Sequence, residues 1–191
     1  MRCLSCHALS WQTFCCSCQT KLLKLSVTQR KVGGLEVYSF FKYQHIQDLL
    51  LTKHTAQGFK VYKALADLSF APFIQSFMQE DDRKIYIIGI DERIKSGYSH
   101  VALLSRAMSH PKVIVQYAKL LAQNHVSYAG KSLQYRLENP RYFSYTGDRN
   151  IEAILVDDIV TTGTTLQEAK TLLQKHNVDV LFALTLADAK A

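Results

Sequence analysis

The sequence predicts an α/β fold, a parallel sheet covered on both faces by helices, and three observations carry that prediction. Segments of strand length alternate with segments of helical period along most of the chain. The strand-length runs are apolar throughout and do not alternate with polar residues, which is the pattern of strands buried on both faces. One of them, Ile151–Val156, runs into two adjacent aspartates and a threonine-rich turn before the next helical segment.

Taken in order, LEVYSFFKY (Leu35–Tyr43) reads as a strand, and Ile46–Lys53 and Phe59–Met78 read as helices, with Val61, Ala64, Leu65 and Leu68 at helical spacing. KIYIIGI (Lys84–Ile90) is an apolar strand, followed by a loop and a helix through His100–Met108. Pro111 marks the start of a strand at Lys112–Gln116. Tyr117–Asn150 is polar and aromatic without a clear strand, the kind of long excursion that forms a lid or binding loop. Ile151–Val156 is a strand, Thr165–His176 a helix and Val178–Leu186 a strand again. No internal repeat or low-complexity tract interrupts this order.

The N-terminal segment is a device of its own. All five cysteines lie in the first eighteen residues, where Cys3-x2-Cys6 and Cys15-x2-Cys18 form two knuckles able to bring four thiolates to one zinc ion. A disulfide pair is the alternative, disfavoured in a reducing cytosol. Cys16 is spare, and Cys16 or His7 would substitute if the register slipped. The expected division is a zinc-binding knuckle over residues 1–34 and a sheet domain over residues 35–191. A 48% apolar content is ample for a core, and no apolar run approaches membrane-spanning length, so the expectation is a cytoplasmic protein. The net charge of +7 is uneven. Residues 1–35 contain Arg2, Lys21, Lys24, Arg30 and Lys31 and no acid, and residues 112–150 are also base-rich. Clustered base is the footprint of a polyanionic partner, although solvated surface lysine gives the same count.

The chemistry concentrates in ILVDDIVTTGTT, Ile154–Thr165. A buried parallel strand that ends at Val156 places Asp157 and Asp158 at the carboxyl edge of the sheet, where open α/β sheets bind ligands. Thr161-Thr162-Gly163-Thr164-Thr165 then turns into a helix whose first amides are unpaired and whose dipole favours an anion, with Gly163 allowing close backbone approach. Two carboxylates beside a phosphate seat suit a sugar phosphate, because they accept hydrogen bonds from vicinal hydroxyls. Singly, Asp158 or Thr161 would read as a helix cap; the ordered string argues for a ligand. Neither G-x-x-x-x-G-K-[ST] nor G-x-G-x-x-G occurs, which excludes the usual nucleotide-binding loops.

Ala153–Thr165 resembles the phosphoribosyl pyrophosphate (PRPP) signature of type I phosphoribosyltransferases. The resemblance implies a phosphoribosyltransferase-like sheet over residues 35–191, with Asp157 and Asp158 on the ribose hydroxyls and Thr161, Thr162, Gly163, Thr164 and Thr165 around the 5′-phosphate. It also implies magnesium arriving with the pyrophosphate, and pyrophosphate contacts in the loop 91–97, where Arg93 and Lys95 are the candidates. With its zinc knuckle, the chain further resembles the ComF (ComFC) competence proteins of natural transformation. Lys42-Tyr43, Gly97-Tyr98, Gly130, Arg136 and Asn139 match that family's pattern, while Ile88-Gly89-Ile90-Asp91 and Ser99-His100 depart from it. What this implies is a PRPP-binding protein that handles incoming single-stranded DNA in the cytoplasm, next to DNA-uptake machinery at the inner membrane. The alternatives are a salvage phosphoribosyltransferase that joins a nucleobase to ribose 5-phosphate, or a PRPP-sensing regulator without chemistry.

Overall fold

Buried faces that alternate along central strands set the architecture. The computed structural model describes residues 1–91, 97–124 and 133–191, and of these the side chains of Leu133, Arg136 and Leu137 are not described. Its strands are β1 (Thr28–Val32), β2 (Leu35–Lys42), β3 (Ile85–Asp91), β4 (Val113–Ala122), β5 (Phe143–Tyr145), β6 (Ile151–Val160) and β7 (Val178–Asp188). They form one sheet in the order β1-β2-β7-β6-β3-β4-β5. The pairs from β2 through β4 are parallel, and β1 and β5 close the two edges antiparallel.

Helices cover both faces, as continuous apolar strands require. The helices are α1 (Cys16–Lys21), α2 (Tyr43–Leu50), α3 (Ala56–Leu68), α4 (Phe70–Glu80), α5 (His100–Ala107), α6 (Leu133–Glu138) and α7 (Thr164–Lys175), with a 3₁₀ turn at Leu51–His54. On one face Ile85 and Ile87 of β3, Ile154 and Val156 of β6, and Leu184 and Leu186 of β7 pack under α2 to α5. On the other, Ile88, Ala153, Leu155 and Ala183 pack under Leu166, Ala169 and Leu173 of α7. Cys3, Phe14, Cys18 and Leu23 belong to the first of these clusters, so the cysteine-bearing segment is seated on the same core as the sheet.

Four local readings are corrected. The helical run Phe59–Met78 is two helices broken at Ser69, because Pro72 lacks an amide and its ring would meet the carbonyl four residues earlier. Residues 117–150 are not strand-free: β4 continues to Ala122, and α6 and β5 follow. The alternation in β4 is hidden by a bulge opposite Ile88–Ile90, where Ala118 adopts φ 52°. Strand β6 runs to Val160, so Asp157 and Asp158 are strand residues and not the start of a loop. Finally, Thr28–Val32 is an edge strand of the sheet, a role the sequence pattern did not mark.

The order of the parallel strands positions the site. From β3 the chain goes to β4 on one side and then crosses to β6 on the other, so the topological switch point lies between β3 and β6. The crevice outside their carboxyl ends is flanked by Asp91 from β3, by Asp157 and Asp158 of β6, and by the turn into α7 that follows β6.

Phe14→Ala is expected to cost about 3–5 kcal/mol, because the ring is buried in the cluster that also holds Phe40 and Phe41. Chemical denaturation followed by both far-ultraviolet circular dichroism and the reactivity of the buried Cys3 and Cys18 thiols checks this. One coincident transition at lower denaturant is the expected result; separate transitions by the two probes would mean that the N-terminal segment folds independently.

Candidate functional site

Two residues adjacent on a strand point to opposite faces. Asp158 continues the face of Ile154 and Val156 toward α3 and α5, and Asp157 continues that of Ala153 and Leu155 toward α7. Asp158 is buried, and its Oδ2 is met from three elements. Lys53 Nζ of the 3₁₀ turn donates at 3.1 Å, the Tyr62 hydroxyl of α3 donates at 3.2 Å, and His100 Nε2 at the start of α5 lies 3.5 Å away. Burial alone would push this carboxyl up, but the neighbouring Lys53 and His100 charges and the hydrogen bonds from Lys53 and Tyr62 outweigh it, holding it below the usual carboxylate range. Burial pushes the Tyr62 hydroxyl up, as does the Asp158 carboxylate beside it, so it stays a donor.

The position of Lys53 is itself fixed. The Tyr98 hydroxyl donates to the Lys53 carbonyl at 2.8 Å, and the Tyr98 ring meets Phe59 edge to face. Gly97, at φ 81°, supplies the left-handed residue that delivers Tyr98 to this place. None of Lys53, Tyr62 and His100 was singled out from sequence as a site residue. They stand far from Asp158 in the chain, and only the departure at Ser99-His100 hinted at one of them.

The threonine turn lies at the mouth of the same crevice. Asp157 is half-buried, and its Oδ1 accepts the Asp158 amide at 2.8 Å. The N-cap of α7 is Gly163, which makes no side-chain cap, so neither Asp158 nor Thr161 caps this helix. The first intrahelical bond runs from the Gln167 amide to the Gly163 carbonyl, which leaves the amides of Thr164, Thr165 and Leu166 outside the helical ladder. The hydroxyls of Thr162 and Thr164 are 3.1 Å apart. Gly163 has φ 85°, and a Cβ there would collide with the Val32 side chain of β1. Its sequence reading as room for a ligand is therefore joined by a second constraint, packing against the edge strand. Arg30 of β1, which the charge count placed with the N-terminal basic surface, is turned into this turn: its Nη2 donates to the Thr161 carbonyl at 2.9 Å. Lys31 pairs with Glu36, and Lys21 and Lys24 stay exposed.

Across the crevice, Asp91 ends β3 buried. Ser99 Oγ donates to it at 2.7 Å and the Ala118 amide at 3.1 Å. Burial pushes its carboxyl up against these hydrogen bonds. Arg93 and Lys95, the pyrophosphate candidates, lie outside the described residues, as do Gly130 and the side chain of Arg136.

The cysteines converge as their spacing implies. The sulfurs of Cys3, Cys6, Cys15 and Cys18 all lie within 4.8 Å of one another, and Cys6 and Cys15 sulfurs are 3.6 Å apart. Zinc–sulfur bonds of about 2.3 Å in a tetrahedron put sulfurs about 3.8 Å apart, so the cluster fits that cation. No pair among the five cysteines is bridged, and Cys16 and His7 stand outside the cluster. Burial pushes the Cys3 thiol up, but the backbone amides of Cys6, Cys15 and Ser5 bring it down to about 6, which favours the thiolate a metal needs. Cys18 is pushed up to about 12: a hydrogen bond with Ser5 lowers it, and burial and the neighbouring cysteines more than offset that.

No family model matches the chain, and no curated protein matches it. Solved structures similar to it include a hypoxanthine phosphoribosyltransferase from Staphylococcus aureus, with 16% identity over 66% of this chain and 64% of that one, at a TM-score of 0.43. Adenine phosphoribosyltransferase from Saccharomyces cerevisiae, complexed with an imino-altritol bisphosphate and adenine, matches at 17% identity over 92% and 90% of the two chains, with a TM-score of 0.46. Orotate phosphoribosyltransferase from Mycobacterium tuberculosis H37Rv matches at 10% identity over 91% and 95%, with a TM-score of 0.38. The chain thus spans 64% of the length of the staphylococcal protein. Among the described residues, no helix is long and apolar enough to cross a membrane.

Two outcomes are expected. The isolated protein should carry about one zinc per chain by elemental analysis, and Cys3→Ser should lose it while His7→Ala keeps it. Asp158→Asn should destabilise the protein at neutral pH by on the order of 1–3 kcal/mol, since Lys53 and Tyr62 lose a charged acceptor. Because the folded carboxyl is held below its unfolded value, this stabilisation is present above about pH 4 and is lost as pH falls through the folded value. Denaturation curves of both proteins should therefore converge in acid.

Proposed function

We propose that the chain binds PRPP with magnesium at the carboxyl edge of β6 and serves single-stranded DNA uptake as a DNA-binding protein. The observation that carries the ligand is the placement of Asp157–Thr165 at the topological switch point, with the first amides of α7 outside the helical ladder. In this reading the 5′-phosphate sits against Thr161, Thr162, Gly163, Thr164 and Thr165, taking hydrogen bonds from backbone amides and threonine hydroxyls. Asp157 accepts from one ribose hydroxyl. Asp158 accepts from the other through Oδ1, with Oδ2 turned to Lys53, Tyr62 and His100. The pyrophosphate points across the crevice toward the end of β3, where Arg93 and Lys95 neutralise it. Magnesium arriving with the pyrophosphate would add charge neutralisation there. Lys53 beside the buried Asp158 keeps the second carboxylate ionised, as the acceptor of a hydroxyl's hydrogen bond.

The DNA role rests on the N-terminal module. Lys21 and Lys24 are exposed on it, and Trp11 is 97% exposed beside the cysteine cluster, an aromatic face open to a base. Cys3, Cys6, Cys15 and Cys18 would hold a zinc ion that ties that module together, and the protein's location next to uptake machinery at the inner membrane is part of the same proposal.

PRPP with magnesium should raise the melting temperature, because a ligand that binds only the folded form stabilises it. Asp157→Ala combined with Asp158→Ala should abolish the shift, and a double variant that binds as tightly would remove the ribose clamp. Single-stranded DNA should bind at low salt with a log–log slope of about −0.7 per phosphate contact. Lys21→Gln with Lys24→Gln should weaken it and leave the PRPP shift intact. Release of pyrophosphate with a panel of nucleobases, without DNA binding at low salt, would mark the chain as a salvage enzyme instead.

A further inference from the structure

We infer that Arg30, on edge strand β1, is a positioning residue that holds the β6–α7 turn in its anion-binding form, so that the N-terminal hairpin is a working part of the phosphate seat. The inference rests on the ribose-phosphate reading of that turn and adds a residue that lies outside Ala153–Thr165.

In the sheet order, β2 and β7 lie between β1 and β6. The Arg30 side chain bridges that gap. Its Nη2 donates to the Thr161 carbonyl at 2.9 Å, and its Nε lies 2.9 Å from Asp188 Oδ2 at the end of β7, off the hydrogen-bond line. The Arg30 side chain is 24% exposed and the Asp188 side chain 5%, so the pair is partly shielded from solvent. Asp188 is held in turn by the Lys190 amide at 2.9 Å on Oδ1.

The consequence for the turn follows from the planar trans peptide. When the Thr161 carbonyl is drawn toward Arg30, the amide of Thr162 in the same peptide points the opposite way, away from β1. An anion held by backbone amides needs them aimed before it arrives, since each one that must turn on binding costs affinity. Two further contacts press the same hairpin on the same turn. Val32 fills the space a Cβ of Gly163 would take, and Gly33 lies against the Gln167 side chain in the first turn of α7. Lys170 Nζ also reaches the Gly34 carbonyl at 3.4 Å. An edge-strand ion pair that only stabilised the sheet would not need to end on the carbonyl of the turn.

The test measures two ligands against variants at Arg30, with thermal stability recorded for each. Ribose 5-phosphate reports on the seat, and pyrophosphate with magnesium reports on the other end of the crevice. Arg30→Met should weaken ribose 5-phosphate binding by about tenfold or more, and change pyrophosphate binding by less than about twofold. Arg30→Lys, which keeps the charge but not the fork, should fall between Arg30→Met and the unsubstituted protein, and stands in for Arg30→Met if that variant does not fold. Equal loss of both ligands, or no loss of either, would overturn the inference. An unsubstituted protein that binds pyrophosphate with magnesium but not ribose 5-phosphate would overturn the reading of the turn itself, and the inference with it.

Discussion

A carboxylate inside a protein needs partners, and the need of Asp158 organises this molecule. Three elements far from Asp158 in sequence, the 3₁₀ turn, α3 and α5, each deliver one polar group to a single oxygen of that side chain. Removing any one would leave a buried charge underserved, so the helical layer over β6 is tied to the sheet at the edge where a ligand would sit. The same contacts hold the carboxylate ionised, which makes stability and site chemistry consequences of one arrangement.

The opposite face is organised by close packing together with the reach of one guanidinium. Gly163 takes a left-handed conformation and brings the threonine turn onto Val32, and Arg30 reaches over from the same strand. Asp157 and Asp158 therefore have different surroundings although they are neighbours in the chain. One lies over the α7 face with its Oδ1 on a backbone amide, and the other lies over the α3–α5 face in a polar cluster. The switch point between β3 and β6 brings both to one crevice.

Much of this was legible in the sequence, and the parts that were not share a cause. Buried central strands are continuous apolar runs, so β3, β6 and β7 could be found from Lys84–Ile90, Ile151–Val156 and Val178–Leu186, and the two cysteine pairs announced their cluster by spacing alone. The threonine turn was readable because its ordered string carries several constraints at once. By contrast, Lys53, Tyr62 and His100 look like ordinary helix residues until the fold brings them to Asp158, and Arg30 looks like surface charge until β1 is placed. Strand β5 has three residues and no periodicity to detect, and the bulge at Ala118 masks the second half of β4. Pro72 was visible but was overridden by the helical period on either side.

The central claim is that the edge of β6 recognises a ribose phosphate through its carboxylates as well as its phosphate seat. Calorimetric titration of ribose 5-phosphate against 2-deoxyribose 5-phosphate tests it most directly, because the two ligands share the phosphate and differ by one hydroxyl. A clamp in which an aspartate accepts from that hydroxyl predicts binding weaker for the deoxy sugar by about tenfold, the worth of one hydrogen bond to a charged acceptor. Equal affinities would contradict the account, leaving the turn as an anion seat with no part for the two aspartates in recognising the sugar.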